Sequence, residues 1–349
     1  MMKPSLLMLL KILLVGFFLF MIATVFIHYS EVRRTKAVIS SQDDYYKKDS
    51  LAGHVHRENY NKVITWKEHS KGAFEMITNN FGFRQQNNTL ADKPANTIRI
   101  LVTGDSHTDG VANDDELFTA ILQQQLQHFD STKNYEVLNG GTGFYSFVNY
   151  SGFLKKFAFL KPDYFIITVY TGNDYIENVL YDESNFTFTG SLETFYARLN
   201  WRYFYSYMNN SQYAAQVMYF HLYPSKMNTS LQITYRYLDS IRNICSGQHI
   251  IPVVFFLPSV MDVDRNKANA IMIHKKFSKE DLGISQRMSE EIGLWCNQRG
   301  IINFNLLNGM KSGATSLFWS ADDHLNVEGH RMVAAIMFDS LRSVMTTDR

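Results

Sequence analysis

A serine hydroxyl becomes a nucleophile when a base takes its proton, and this chain carries the residues for that chemistry in separate segments. Ser106 stands in Gly104-Asp105-Ser106-His107-Thr108, and His324 stands in Ala321-Asp322-Asp323-His324-Leu325-Asn326. A neutral imidazole accepts at one ring nitrogen and donates at the other. A carboxylate on the donating side fixes the tautomer and stabilises the imidazolium. Asp322 or Asp323 supplies it if the loop turns that side chain toward His324. Attack on an ester carbonyl then makes an oxyanion, for which donors must be preplaced. Three are at hand: the Ser106 N–H, a glycine N–H from Asn139-Gly140-Gly141-Thr142-Gly143, and the side-chain amide of Asn173 in Thr171-Gly172-Asn173-Asp174. Glycine suits the second segment because the backbone must approach the substrate closely there.

These segments need a scaffold that gathers them. After Asn96, short apolar runs alternate with stretches of helical spacing. Ile98–Thr103, Tyr135–Leu138, Tyr164–Tyr170, His249–Leu257 and Ile301–Leu306 are predicted strands. Leu117–Phe129, Phe147–Leu160, Ile284–Gln298 and Val327–Met345 are predicted helices. Strands alternating with helices argue for βαβ units and a parallel sheet. Continuously apolar strands fit a sheet covered on both faces. The expected class is α/β, a doubly wound flavodoxin-like fold with a five-stranded parallel sheet. In such sheets ligands bind beyond the carboxyl ends of the strands, which is where the Ser106, glycine and Asn173 segments fall. An aromatic- and Asn-rich stretch, residues 181–237, interrupts the rhythm between the third and fourth strands. It reads either as helices packing on the sheet or as a cap shaping a cleft.

Gly104-Asp105-Ser106, a glycine turn, Gly172-Asn173-Asp174 and a late Asp-x-His, in this order, resemble the SGNH or GDSL-type hydrolases over roughly residues 98–335. Asn79-Asn80-Phe81-Gly82-Phe83-Arg84, ahead of them, resembles the N-x-x-G-F-R segment of membrane-anchored bacterial members. The resemblance implies a three-layer α/β/α fold and acyl transfer through a serine ester, with no metal and no organic cofactor. It implies Ser106 as nucleophile and first oxyanion donor, Gly143 and Asn173 as the other donors, and His324 as base. Asp322 matches the D-x-H variant of sugar O-acylation relatives. The family's more common acid position falls on Ala321, a departure, so Asp323 stays a rival to Asp322. Gly141 stays a rival to Gly143, because the turn is one residue short.

Simpler roles exist for many of these residues. Ser106 alone would fit a helix N-cap, Asp105 a turn-stabilising role, Asn173 a turn closure and Asp174 the cap of the next helix. His107 is expected to point away from the site, and His330 to belong to the final helix. His54 and His56 form an H-x-H in a polar stretch. Two histidines are too few for zinc, so both read as surface residues. The G-x-S-x-G elbow is not met, because Thr108 holds its last position.

Composition narrows the classes further. The 349 residues are 46% hydrophobic and 19% charged, and 34 Lys and Arg stand against 33 Asp and Glu. That balance offers no electrostatic footprint for nucleic acid. Two cysteines, Cys245 and Cys296, exclude a disulfide-built scaffold. They pair in an oxidising compartment or remain two buried thiols. Residues Leu6–Ile27 are apolar apart from Lys11 and a few small residues. With Lys11 snorkelling from one end, the run suffices for a spanning helix. It exceeds a signal-peptide core and lacks a clean cleavage site. Lysines and arginines flank it on both sides, so charge does not orient it.

The expected organisation is a transmembrane anchor in residues 1–30, a polar linker or N-terminal extension in 31–97, and the hydrolase domain in 98–349. The expected function is a single-pass membrane serine esterase whose catalytic domain faces the extracytoplasmic, periplasmic side. Its partners are the membrane, through the N-terminal helix, and an acylated small molecule or O-acetylated envelope glycan as substrate. A surface-polysaccharide O-acetyltransferase and a non-catalytic glycan-binding protein are the alternatives.

Overall fold

The apolar run at the amino terminus lies in one helix, Pro4–Ser41, in the computed structural model of the chain. The structure describes residues 4–41, 45–181, 211–311, 316–320 and 322–347. Ala321 and residues 182–210 of the aromatic-rich stretch therefore lie outside the described residues. The chain divides into two units, Met1–Tyr46 and Lys47–Arg349. In the first, Leu6–Phe26 form a 21-residue window of mean hydropathy 2.8. At 1.5 Å per residue this is about 30 Å, the thickness of a bilayer core. Its large apolar side chains are exposed all round the helix. A membrane span and a signal sequence both have this length and composition.

The second unit begins with four short strands. β1 (Tyr46–Asp49) pairs with β2 (Gly53–His56), and β3 (Asn61–Thr65) runs antiparallel to β4 (Ala73–Ile77). The strands are four or five residues long and β3 is largely exposed, so this stretch shows only weak periodicity. The polar stretch from residue 47 onward is thus an extension within the compact unit.

Five parallel strands follow: β5 (Thr97–Gly104), β6 (Asn134–Asn139), β7 (Tyr164–Tyr170), β8 (Ile251–Leu257) and β9 (Ile302–Asn305), in the order β6-β5-β7-β8-β9. This is the 2-1-3-4-5 order of flavodoxin-like sheets. β7 lies at the centre, and all seven of its residues are buried, which explains a run that is apolar or aromatic except at Thr168. Right-handed crossovers place the connections on two faces, because the chain reverses direction after β6. Helices Phe118–Phe129 and Val327–Thr347 pack together, while Phe147–Phe157, Asp174–Tyr181, Ser225–Gln248 and Ile284–Gln298 pack as a second group. The α/β class and the five-stranded parallel sheet agree with the sequence reading. The fourth strand starts at Ile251 rather than His249, because His249 caps the preceding helix in the left-handed region at φ 57°. Cys245 and Cys296 are buried free thiols.

Candidate active site

Register sets where the chemistry is gathered. Val102 of β5 lies opposite Asn139 of β6, and Gly104 lies opposite Thr168 of β7. The turns that follow these residues therefore open side by side at the carboxyl edge of the sheet. Thr142 N–H donates to Gly104 O at 3.0 Å, which joins the glycine turn to the turn carrying the serine.

After β5 the chain enters a four-residue helix, Ser106–Asp109. Its N-cap is Asp105, whose Oδ1 accepts from His107 N–H at 2.9 Å. The capping role is thus taken by Asp105, and the Ser106 hydroxyl is left for other work. As the first residue of the helix, Ser106 has an N–H with no intrahelical acceptor. Burial pushes the Asp105 carboxyl upward, partly opposed by the His107 N–H and by His324.

The histidine comes from a tight loop before the last helix. Phe318 and Leu325 form an antiparallel bridge, and Trp319 N–H donates to His324 O at 2.7 Å. Ser320 N–H and Oγ both donate to Glu68 Oε2, at 2.7 and 2.9 Å, so the extension braces this loop. Within it, His324 Nε2 lies 2.9 Å from Ser106 Oγ, and His324 Nδ1 lies 2.8 Å from Asp322 Oδ2. With the proton on Nδ1, the ring donates to Asp322 and accepts from the Ser106 hydroxyl. Asp322 Oδ1 also accepts from His324 N–H at 3.1 Å. Asp323 turns elsewhere: its backbone is left-handed at φ 63°, and its Oδ1 meets Lys267 Nζ at 2.7 Å. Of the two rival carboxylates, the structure brings Asp322 to the imidazole.

Electrostatics suit a base. Burial pulls the His324 pKa down, but the hydrogen bond and charge of Asp322, with Asp105 and Asp109, outweigh it and leave the pKa above its ordinary value. For Asp322, burial acts upward, while the hydrogen bond and charge of His324 hold the carboxyl below its usual range.

The chain is similar in structure to SGNH/GDSL-type esterases. An acetylxylan esterase from Geobacillus stearothermophilus, in a catalytic-mutant form, shares 10% identity at a TM-score of 0.44, covering 70% of this chain and 93% of that one. A putative lipolytic protein of the G-D-S-L family from Desulfitobacterium hafniense shares 14% identity at 0.41, covering 69% and 98%. A GDSL-like lipase from Bacteroides thetaiotaomicron shares 12% at 0.36, covering 70% and 88%. No protein-family model matches the chain, and no curated protein matches it.

The residues the sequence offered as further donors have distinct settings. Gly141 N–H is engaged by Asn139 Oδ1 at 2.9 Å, and a Cβ at Gly141 would collide with the backbone of Thr108 and Asp109. Its role is close packing against the serine turn. Gly143 follows, and its carbonyl lies 2.8 Å from His54 Nε2. Asn173 is buried at the end of β7, with Nδ2 donating to Glu177 Oε1 at 2.8 Å. An amide nitrogen has two N–H bonds, and Glu177 takes one of them. Asp174 is not a simple helix cap. Its Oδ2 accepts from Tyr150 Oη at 2.6 Å and from Tyr170 N–H at 2.9 Å, tying β7 to the helix Phe147–Phe157.

Two sequence expectations need correction. His54 and His56 are not surface residues. His56 is buried with Nε2 3.2 Å from Asp109 Oδ2, and His54 holds the glycine turn. The H-x-H is drawn inward, His54 half-buried and His56 buried, because one ring meets the Gly143 carbonyl and the other the Asp109 carboxylate. His107 does not point away, since its ring stacks on His324. His330, as expected, belongs to the final helix, where Phe118 N–H reaches its Nδ1 at 3.3 Å.

The Asn79–Arg84 segment acquires a physical role. Asn79 Oδ1 accepts from Phe81 N–H and Phe83 N–H, at 2.9 and 3.1 Å. Gly82 adopts φ 80°, and a Cβ there would sit 2.7 Å from His56 O. Phe83 enters the core. Arg84, fully buried, donates to Asp109 O and Oδ1 at 2.7 and 3.0 Å, to Gly110 O at 3.2 Å, to Ala112 O at 3.1 Å and to Asp114 Oδ1 at 3.1 Å. One side chain thus fixes the loop that leaves the serine turn. Losing it takes the cation from buried Asp114 and from buried Asp109, which keeps His56. Arg84→Met is therefore expected to destabilise the fold by about 3–5 kcal/mol, read as a lower denaturation midpoint at unchanged m-value. A cost below about 1 kcal/mol would show that Arg84 behaves as a surface pair.

Proposed function

We propose that the chain is a serine esterase: Ser106 is the nucleophile, His324 the general base, and Asp322 the carboxylate that orients it. The observation that carries this reading is the linear relay Ser106 Oγ–His324 Nε2 at 2.9 Å and His324 Nδ1–Asp322 Oδ2 at 2.8 Å. These are contact distances for a nucleophile, its base and the base's orienting group.

In the proposed reaction His324 Nε2 takes the Ser106 proton as Oγ bonds to the ester carbonyl carbon. The carbonyl oxygen becomes an oxyanion, received by the Ser106 N–H, the Gly143 N–H and the Asn173 amide. Collapse breaks the bond to the alcohol, which leaves with the proton from His324. Water then attacks the acyl-serine with His324 again as base, and Ser106 is restored. Asp322 stays ionised throughout and stabilises the imidazolium.

We place the site on the extracytoplasmic side of a membrane crossed once by Leu6–Phe26, with O-acylated envelope glycans as substrate. The length and hydropathy of that helix support the anchoring. An acyl-serine discharged by a sugar hydroxyl instead of water would make the same site an O-acetyltransferase. Adding an acceptor oligosaccharide to the assay separates the two, since hydrolysis unaffected by acceptor supports the esterase.

The full chain in detergent micelles is expected to hydrolyse p-nitrophenyl acetate. Only neutral His324 accepts a proton, so kcat/KM is expected to rise with pH through a midpoint above 6.5, as the raised His324 pKa requires. A flat profile from pH 5 to 8 would exclude His324 as the base.

A further inference from the structure

Between the end of β7 and the His324 loop stands a column of three rings. His107 stacks on Tyr170 with centroids 3.6 Å apart and planes 24° apart. It also stacks on His324, at 4.6 Å and 24°. We propose that His107 is a positioning residue for His324, its buried ring fixing the orientation of the base and lending a π face to the imidazolium formed when Ser106 gives up its proton. This rests on the esterase reading above.

Three observations carry the assignment. His107 is 1% exposed, and its Nδ1 meets no hydrogen-bond partner among the described residues. A buried imidazole whose nitrogen goes unpaired is costly, and what this ring offers its neighbours is its faces. The column also joins three pieces of chain: Tyr170 ends β7, His107 follows the nucleophile, and His324 sits on the C-terminal loop. Finally, the ring stays neutral, because burial first, then the proximity of His324 and His330, pushes its pKa well down. A neutral aromatic face against a forming cation is favourable, whereas a second cation would be repulsive. The titratable groups around His324 are otherwise Asp322 on its own loop, Asp105 and Asp109 on the serine turn, and His330 on the last helix.

The test compares His107→Phe, which keeps a flat ring, with His107→Leu, which fills the space without one. The His324 titration midpoint is read by NMR on selectively 13C-histidine-labelled full chain in micelles, beside the pH profile of p-nitrophenyl acetate hydrolysis. His107→Phe is expected to keep the wild-type midpoint and to stay within about threefold of the wild-type rate. His107→Leu is expected to move the midpoint down by about half a pH unit and to lower kcat about tenfold. A His107→Leu midpoint equal to that of His107→Phe overturns the proposal. The NMR midpoint reads the stack without any turnover, so absence of hydrolysis in the wild type counts against the esterase reading alone. If one variant fails to fold, the other against wild type still decides: an unshifted Leu midpoint, or a shifted Phe midpoint, overturns the assignment.

Discussion

Ser106→Ala and His324→Ala are each expected to lower kcat on p-nitrophenyl acetate by about 10⁴-fold or more, and the double variant by no more than either alone. Non-additivity is the sharper half of this expectation. Ser106 Oγ and His324 Nε2 stand 2.9 Å apart, and in the proposed mechanism neither works without the other: the serine lacks a base, or the base lacks a nucleophile. Two residues contributing independently would multiply their losses. Folding offers no alternative explanation for such a loss. Ser106 is half-buried rather than a core residue, and its alanine variant is expected to retain a denaturation midpoint near wild type. The comparison of single and double variants at saturating ester, with thermal melts alongside, checks both halves.

Asp322→Asn is expected to reduce kcat by on the order of 10³- to 10⁴-fold, while Asp323→Asn is expected to leave it within about threefold of wild type. The two carboxylates are neighbours in sequence, so the contrast isolates geometry from composition. Asp322 Oδ2 receives the His324 Nδ1–H at 2.8 Å. An amide in its place can present an N–H to that nitrogen and favour the wrong tautomer. Asp323 instead meets Lys267 in a partly exposed ion pair, the kind whose loss changes little. Asparagine also tolerates the left-handed backbone that Asp323 adopts at φ 63°. Steady-state rates on the same ester decide the matter. Equal losses in both variants would mean that the loop rearranges in solution and that neither carboxylate is assigned.

Much of the fold was legible because β5, β7 and β8 are dominated by apolar residues, interrupted only by Arg99 in β5 and Thr168 in β7 apart from their ends, and a run buried on both faces needs no alternation to be recognised. The site segments were legible for a related reason. Small and polar residues directly after such strands mark the edge where a parallel sheet opens. What stayed hidden depended on contacts far apart in sequence. His56 looks like a surface residue until Asp109 is beside it, and Arg84 looks solvated until Asp109 and Asp114 enclose it. A signal for Arg84 was present in the turn ahead of it, where Asn79, Gly82 and Phe83 fix an anchor that delivers one cation to one place. Glu177 was findable too, since it stands one helical turn after Asn173, the spacing at which side chains meet. The stack on His107 was not readable, because the short helix after β5 decides where its ring goes.

The central claim is that Ser106 is a nucleophile activated by His324. Its most direct test treats the full chain with an alkyl fluorophosphonate, which phosphonylates activated serines, and locates the adduct by peptide mass spectrometry. A single adduct on Ser106, absent in His324→Ala, is the expected result. An intact, folded chain with no adduct at Ser106, or with labelling there that persists in His324→Ala, would contradict it.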